Sequence, residues 1–190
     1  MRIFGISALG RLAWGWKLAV AVSTLAIGAV TVDVALQHPS DESLRELLAK
    51  KNSVFEEMLQ MLAQDRGVVR LTPRFIVWDD GEASGDMPGY TKYRDFDKSR
   101  WDHYRELLTA IGSQDGIVVK KDDGVIVFIE SVRGALLIGT SKGIAYQFKP
   151  SLASWVTVVK SLDSGAVPKG EGEYVCPIAG RWYIYYNCSG

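Results

Sequence analysis

The sequence predicts an α+β protein: an antiparallel meander sheet of about five to seven strands, packed by two or three helices and preceded by one N-terminal transmembrane helix. Three observations predict it. The stretch Leu12–Leu36, LAWGWKLAVAVSTLAIGAVTVDVAL, carries no charged residue between Leu18 and Val32. From Ser40 to Gly67, apolar residues recur at helical spacing. Beyond Ile117, short β-branched and aromatic runs are separated by KKDDG, RG and TSKG, connections so short that they force neighbouring antiparallel strands. The expected organisation is a cytoplasmic N-terminus with the anchor (1–36), an amphipathic juxtamembrane helix belonging to the next domain (37–67), and the α+β extracytoplasmic domain (68–190).

The uncharged run alone is short for a span, since a bilayer core takes about 20 apolar residues in a helix. Extended back to Leu12 it gains Trp14, Trp16 and Lys17, which suit the interface or snorkel to it. A cleaved signal peptide is the competing reading, with Arg2, Arg11 and Lys17 as its basic region. Cleavage after Ala35 would place Asp33 where a small residue is wanted, so the uncleaved anchor is preferred. Arg2, Arg11 and Lys17 precede the run, whereas Asp33, Asp41 and Glu42 follow it. The positive-inside rule then puts the N-terminus in the cytoplasm and the rest outside, with the lipid bilayer contacting residues 12–36.

Of 22 basic and 22 acidic residues, Arg2, Arg11, Lys17 and Asp33 precede residue 37, which leaves a slight acidic excess with interleaved signs. No basic stripe exists for a phosphate backbone, so nucleic acid is not an expected partner. Cys176 and Cys188 are the only cysteines. An oxidising compartment permits them to pair, for a gain on the order of 3 kcal/mol. Their placement is not symmetric about the Ala179-Gly180 turn, which opposes easy disulfide geometry. The bridge and two separate thiols both stand.

Ser40 is an N-cap followed by Asp41 and Glu42 on the positive end of the helix dipole. Leu44, Leu48, Phe55, Met58 and Leu62 then form an apolar face up to Gly67, with Lys51 interrupting it. Arg74–Trp78 reads as a strand, and DDGEASGDMPGYTKYRDFD as a long loop rich in Gly and Asp. Asp97 or Ser99 caps a helix bearing Trp101, Tyr104, Leu108 and Ile111, which stops at Gly112. Strands follow at 117–120, 125–132, 135–139 and 144–148. Pro150 opens a third helix with Leu152, Trp155, Val156, Val159 and Leu162 inward, and a hairpin over 173–178 and 181–186 completes the reading.

The combination of TSKGIAYQFKP, SLDS and RWYIYY resembles a group of small bacterial membrane-anchored or exported proteins to which no activity is assigned. Their shared pattern is a Lys-Gly-aromatic strand, a Pro-led helix ending in Ser-Leu-Asp, and a terminal Trp-Tyr-x-Tyr-Tyr strand. The match covers the last third to half of the chain; the cysteines and the anchor are not part of it. It implies a bacterial source and carries no functional residue across; with the anchor and its flanking charges, the expected setting is the bacterial inner membrane with the domain in the periplasm or exterior.

Few constellations could carry chemistry. His38 stands beside the membrane exit and reads as a solvated linker residue. His103 lies in DKSRWDHYRE, and Asp79, Asp80, Glu82 and Asp86 of the acidic loop could orient it as a general base. No nucleophile motif accompanies it, so an exposed helix histidine is the plainer reading. Ser141 and Lys142 in TSKG invite a serine–lysine reading. Adjacent strand residues point to opposite faces, however, and a tight turn explains the segment better. The acidic loop lacks the EF-hand pattern, so no metal is expected, and no cofactor motif occurs. Strand alternation sets Trp182, Ile184 and Tyr186 on one face and Tyr183 and Tyr185 on the other. One set should be core; the other is either covered or an aromatic interface.

The expected function is that of a non-catalytic envelope protein whose domain binds another protein, as an accessory or immunity-type protein would. Asp79, Asp80, Asp86, His103, Tyr183 and Tyr185 are the candidate binding residues, and no residue is assigned to catalysis. The alternative is an anchored hydrolase acting on an envelope substrate through the acidic loop and His103. A sensor is disfavoured, because so few residues precede the span.

Overall fold

A computed structural model describes residues 38–86, 96–135, 138–152, 156–163, 166 and 170–189. The chain divides after Gln37, and every described residue belongs to the second unit. Among the described residues no helix is long and apolar enough to cross a membrane. The expected span over Leu12–Leu36 lies outside them.

Helix α1 (Asp41–Gln64) starts where the Ser40 side chain accepts from the Ser43 amide at 3.1 Å. It buries Leu44, Leu48, Phe55, Met58 and Leu62, the periodic face seen in sequence, and kinks at Lys51 (φ −120°, ψ 20°). Helix α2 (Lys98–Ile111) is capped by Asp97, which accepts from the Ser99 amide at 2.9 Å. It ends at Gly112, whose left-handed φ of 80° suits glycine.

Among the described residues, nine strands build one sheet: β1 (Val68–Leu71), β2 (Phe75–Trp78), β3 (Ala83–Gly85), β4 (Ile117–Lys120), β5 (Val125–Ala135), β6 (Ile138–Gln147), β7 (Val156–Val158), β8 (Gly172–Ala179) and β9 (Trp182–Ser189). Their order is β3-β2-β1-β4-β5-β6-β9-β8-β7. Every pairing is antiparallel except β7 with β8, which is parallel. One face carries the main core, where Phe55 meets Phe128 and Trp182 edge-on at ring distances of 5.0 and 5.7 Å. The opposite face holds a smaller cluster of Val125, Val127, Ile129, Ala145, Val175 and Tyr185.

The α+β class stands, with three corrections. The sheet has nine strands rather than five to seven, because β1, β3 and β7 are three or four residues long and carry little alternation. The expected strands 135–139 and 144–148 are not separate, and TSKG is not a turn. It lies inside β6, where a Cβ on Gly143 would collide with the Phe128 carbonyl of β5. That glycine marks a close backbone approach beside the β5 bulge at Ile129/Ser131.

The third correction concerns the Pro150 helix. Val156–Val158 is a strand, and Ser161–Asp163 is irregular. Val156 and Thr157 with Val158 form a β-branched run that favours extended backbone. Of the residues expected on one helical face, Trp155 lies outside the described residues and the other four divide between the two faces of the sheet. Leu152 and Val156 join the small cluster, whereas Val159 and Leu162 join the main core.

Candidate functional site

The C-terminal half of α1 and the ends of β4–β6 border a cleft on the surface of the domain. The cleft there has a volume of about 630 Å³. Leu59 of α1, Val68 of β1, Val119 of β4, Ile126 of β5, Tyr146 of β6 and the following Phe148 supply its apolar lining. Glu56, Arg66 and Lys121 stand around it. Phe148 is 38% exposed, unusual for so large an apolar side chain. The size and lining suit a bound side chain or small ligand.

The sequence candidates do not converge on one site. Asp79 donates its amide to the Gly67 carbonyl at 2.8 Å, and its carboxylate accepts from Lys121 Nζ at 2.9 Å. It borders a shallower depression formed with Val69, Val118 and Lys120–Asp123, which shares Val119 and Lys121 with the cleft. Asp80 accepts from the Glu82 amide at 3.2 Å within its own turn. Asp86 accepts from Arg105 of α2 at 2.6 Å. His103 instead faces Glu57 at 2.7 Å and Glu106 at 3.5 Å, which raise its pKa above the usual histidine value. The expected approach of the loop acids to His103 is therefore corrected: neighbouring helix carboxylates hold the imidazole.

Tyr183 and Tyr185 do share the second face of the sheet. Tyr185 is buried, packed with Val125, Val127 and Val175, and Leu152 and Val156 lie against the same cluster. Lys120 Nζ sits over the Tyr185 ring at 5.4 Å and pairs with Glu173. Glu173 also accepts from Asn187 Nδ2 at 3.2 Å. Burial pushes the Tyr185 hydroxyl well above the ordinary tyrosine range. Tyr185 thus belongs to a minor core, and Tyr183 lies half-buried against it.

The cysteines are separate thiols. The β8–β9 register sets Cys176 opposite Ile184 and Cys188 opposite Gly172. Four residues of strand, about 13 Å, separate the two positions, beyond the reach of a disulfide. The buried Cys176 thiol donates to the Lys160 carbonyl at 3.2 Å and accepts from Arg45 at 3.4 Å.

The most organised polar cluster went unread in the sequence. Lys142 and Asp41 are both 2% exposed, and Lys142 Nζ lies 2.8 Å from Asp41 Oδ1. The same Nζ donates to the Leu162 carbonyl at 2.9 Å and lies 3.4 Å from Asp163 Oδ1. Asp41 Oδ2 accepts from the Leu162 amide at 2.7 Å and from Ser161 Oγ at 2.9 Å. The Asp41 amide in turn donates to Asp163 Oδ1 at 2.6 Å. Burying a charge is costly unless it is paired and hydrogen-bonded, and each charge here is both. Those donors, led by Lys142, hold the Asp41 carboxyl below the usual carboxylate range despite its burial.

His38 is equally engaged, which corrects its reading as a solvated linker. Its Nδ1 lies 2.6 Å from Ser131 Oγ and its Nε2 2.7 Å from Thr140 Oγ1, so one ring nitrogen donates and the other accepts. The ring also stands edge-on to Tyr186 at 5.5 Å. Burial first, then the nearby charges of Arg133 and Lys142, pull its pKa down to about 4. One signal was present in the sequence. Lys142 alternates with Ile144 and Tyr146 on an inward face, and an inward lysine requires an acid.

One further carboxyl is perturbed. Glu130 is the extra residue of the β5 bulge, and its Oε1 has no hydrogen-bond partner among the described residues. Burial, with Asp115 nearby, pushes its pKa up to about 8.

No known family model matches this chain, and no curated protein or solved structure shows significant similarity to it.

Proposed function

We propose that this chain is a single-span protein of the bacterial inner membrane, N-terminus inside, whose extracytoplasmic α+β domain binds another protein. The cleft under the C-terminal half of α1 carries the reading. An apolar floor of Leu59, Val119, Ile126 and Phe148 ringed by Glu56, Arg66 and Lys121 has the composition of an interface centre with its polar rim. A partner side chain seated there would anchor the complex, as an envelope accessory or immunity-type protein requires. The acids and the histidine that a hydrolase would use are spent on ion pairs at separate places.

A photo-crosslinking residue placed at Phe148 in membranes of the expressing cell tests this directly. Adducts to one protein from position 148, absent from the exposed control position Val158, are expected. Adducts from neither position under several growth conditions would count against binding. Loss of the phenotype in His103→Ala, with crosslinking intact, would favour the hydrolase instead. For topology, a reporter active only outside the cytoplasm, fused after Gly190, should be active; an inactive fusion overturns the orientation.

A further inference from the structure

The residues that lead into α1 form a short strap, His38-Pro39-Ser40-Asp41, fastened at both ends. At one end the His38 ring bridges two strands, with Ser131 Oγ of β5 at 2.6 Å and Thr140 Oγ1 of β6 at 2.7 Å. At the other, Asp41 grips Lys142 of β6 and the Ser161–Leu162 segment. Between these ends Ser40 is exposed and makes only helix-capping contacts, its side chain and carbonyl accepting from Ser43 and its carbonyl from Leu44. Two clusters of side-chain contacts therefore hold residues 38–41 to the sheet.

We propose that this strap is an acid-released latch, which opens on acidification while the sheet beneath it stays folded. The argument stands on the contacts of residues 38–41 and does not depend on the membrane reading. The charged and titratable groups around the strap are Arg133 on β5, Lys142 on β6, Tyr186 on β9, Cys176 on β8, Arg45 on α1 and Asp163 after β7. Two of them, Arg133 and Lys142, are cations acting on the imidazole, and its nitrogens are occupied by hydroxyls rather than by a carboxylate. A proton arriving on the docked ring meets two positive charges and partial burial, with no anion in hydrogen-bond contact among the described residues. The released ring, in water, takes the same proton at the ordinary affinity of histidine.

Acid therefore favours the open strap. The docked ring titrates near 4 and the free ring near 6.5. Linkage then multiplies the open-to-closed ratio between pH 7.5 and 5 by roughly tenfold to thirtyfold, the lower figure allowing for the half-exposed position of the ring. Asp41 acts in the same direction at lower pH, since its carboxyl is held below the ordinary range and loses its grip on Lys142 only when protonated. The β5–β6–β9 ladder has no comparable titrating contact on its backbone bonds, which is why the latch opens before the sheet.

Hydrogen exchange on the full chain, corrected for the intrinsic pH dependence of exchange, tests the latch. The reporting amides are Asp41, which donates to Asp163, and Leu162, which donates to Asp41. Their protection should fall at least tenfold between pH 7.5 and 5, with Phe128 and Ile144 amides of the central ladder unchanged. His38→Gln, which can still bond a hydroxyl but does not titrate, should abolish the fall. Arg133→Gln should reduce it by removing one of the two cations. Unchanged protection, equal loss in His38→Gln, or parallel loss at Phe128 and Ile144 would each overturn the proposal.

Discussion

Replacing Lys142 by methionine isolates what its buried charge does for the fold. Methionine fills nearly the same volume, so the packing of β6 against α1 is retained while the charge is lost. Asp41, 2% exposed, then keeps only the Leu162 amide at 2.7 Å and Ser161 Oγ at 2.9 Å, and the Leu162 carbonyl loses its lysine donor. A buried ion left without its partner costs about 3–5 kcal/mol. For a domain of this size that corresponds to a Tm lower by about 10 °C. Urea unfolding followed by tryptophan fluorescence reads the change, because Trp182 lies in the core beside Phe55 and Phe128. Combining Lys142→Met with Asp41→Asn removes both charges and should recover about 2 kcal/mol relative to the sum of the single changes. A single-variant cost under about 1 kcal/mol, or strict additivity in the cycle, would refute the view that this pair is a mutually dependent buried unit.

The two histidines should separate cleanly in an NMR titration: His38 midway near 4, His103 above 6.5, and coincident curves would contradict the contacts assigned to both. Because folded His38 binds its proton more weakly than the unfolded residue, its stabilising contribution is complete above about pH 6.5 and fades as pH falls towards 4. Glu130 has the opposite sign. Its folded pKa near 8 lies above the ordinary carboxyl value of 4.5, so the ionised form weakens the fold as pH rises between those values. Glu130→Gln should thus stabilise at pH 8 by on the order of 4 kcal/mol and by much less at pH 5; an equal effect at both would sink the assignment. Non-reducing and reducing electrophoresis of the purified chain should give one identical monomer mobility, and Cys188→Ser should leave Tm within about 2 °C of the parent.

Local signals made much of this fold legible in sequence. The Ser40 cap and the Leu44–Leu62 periodicity located α1; Asp97 and Gly112 bounded α2; and alternation through Trp182–Tyr186 sorted the two sheet faces correctly. Failures came where local chemistry pointed one way and a distant partner another. The Pro150 segment has helical spacing, yet Val156–Val158 pairs with Val175 and its neighbours on β8 and becomes a strand. TSKG has turn composition, but Gly143 is there because β5 runs so close to it. The strap and the buried pair join residues around 40 to residues around 140 and 162, and no local window contains such a contact. The cleft is less legible still, since its lining is drawn from α1, β1, β4, β5 and β6 together.

Strand order gives β9 a role that its place in the chain hides. It follows β8 in the chain, yet among the described strands it lies inside the sheet, between β6 and β8. Strands β7 and β8 join the rest of the ladder through it alone. A chain lacking β9 therefore presents an open edge on β6 and leaves the β7–β8 pair detached from the rest of the sheet. Such intermediates are the kind that pair with other chains. Assembly of this sheet has to wait for β9, so disrupting β9 should act as an all-or-none loss of the domain.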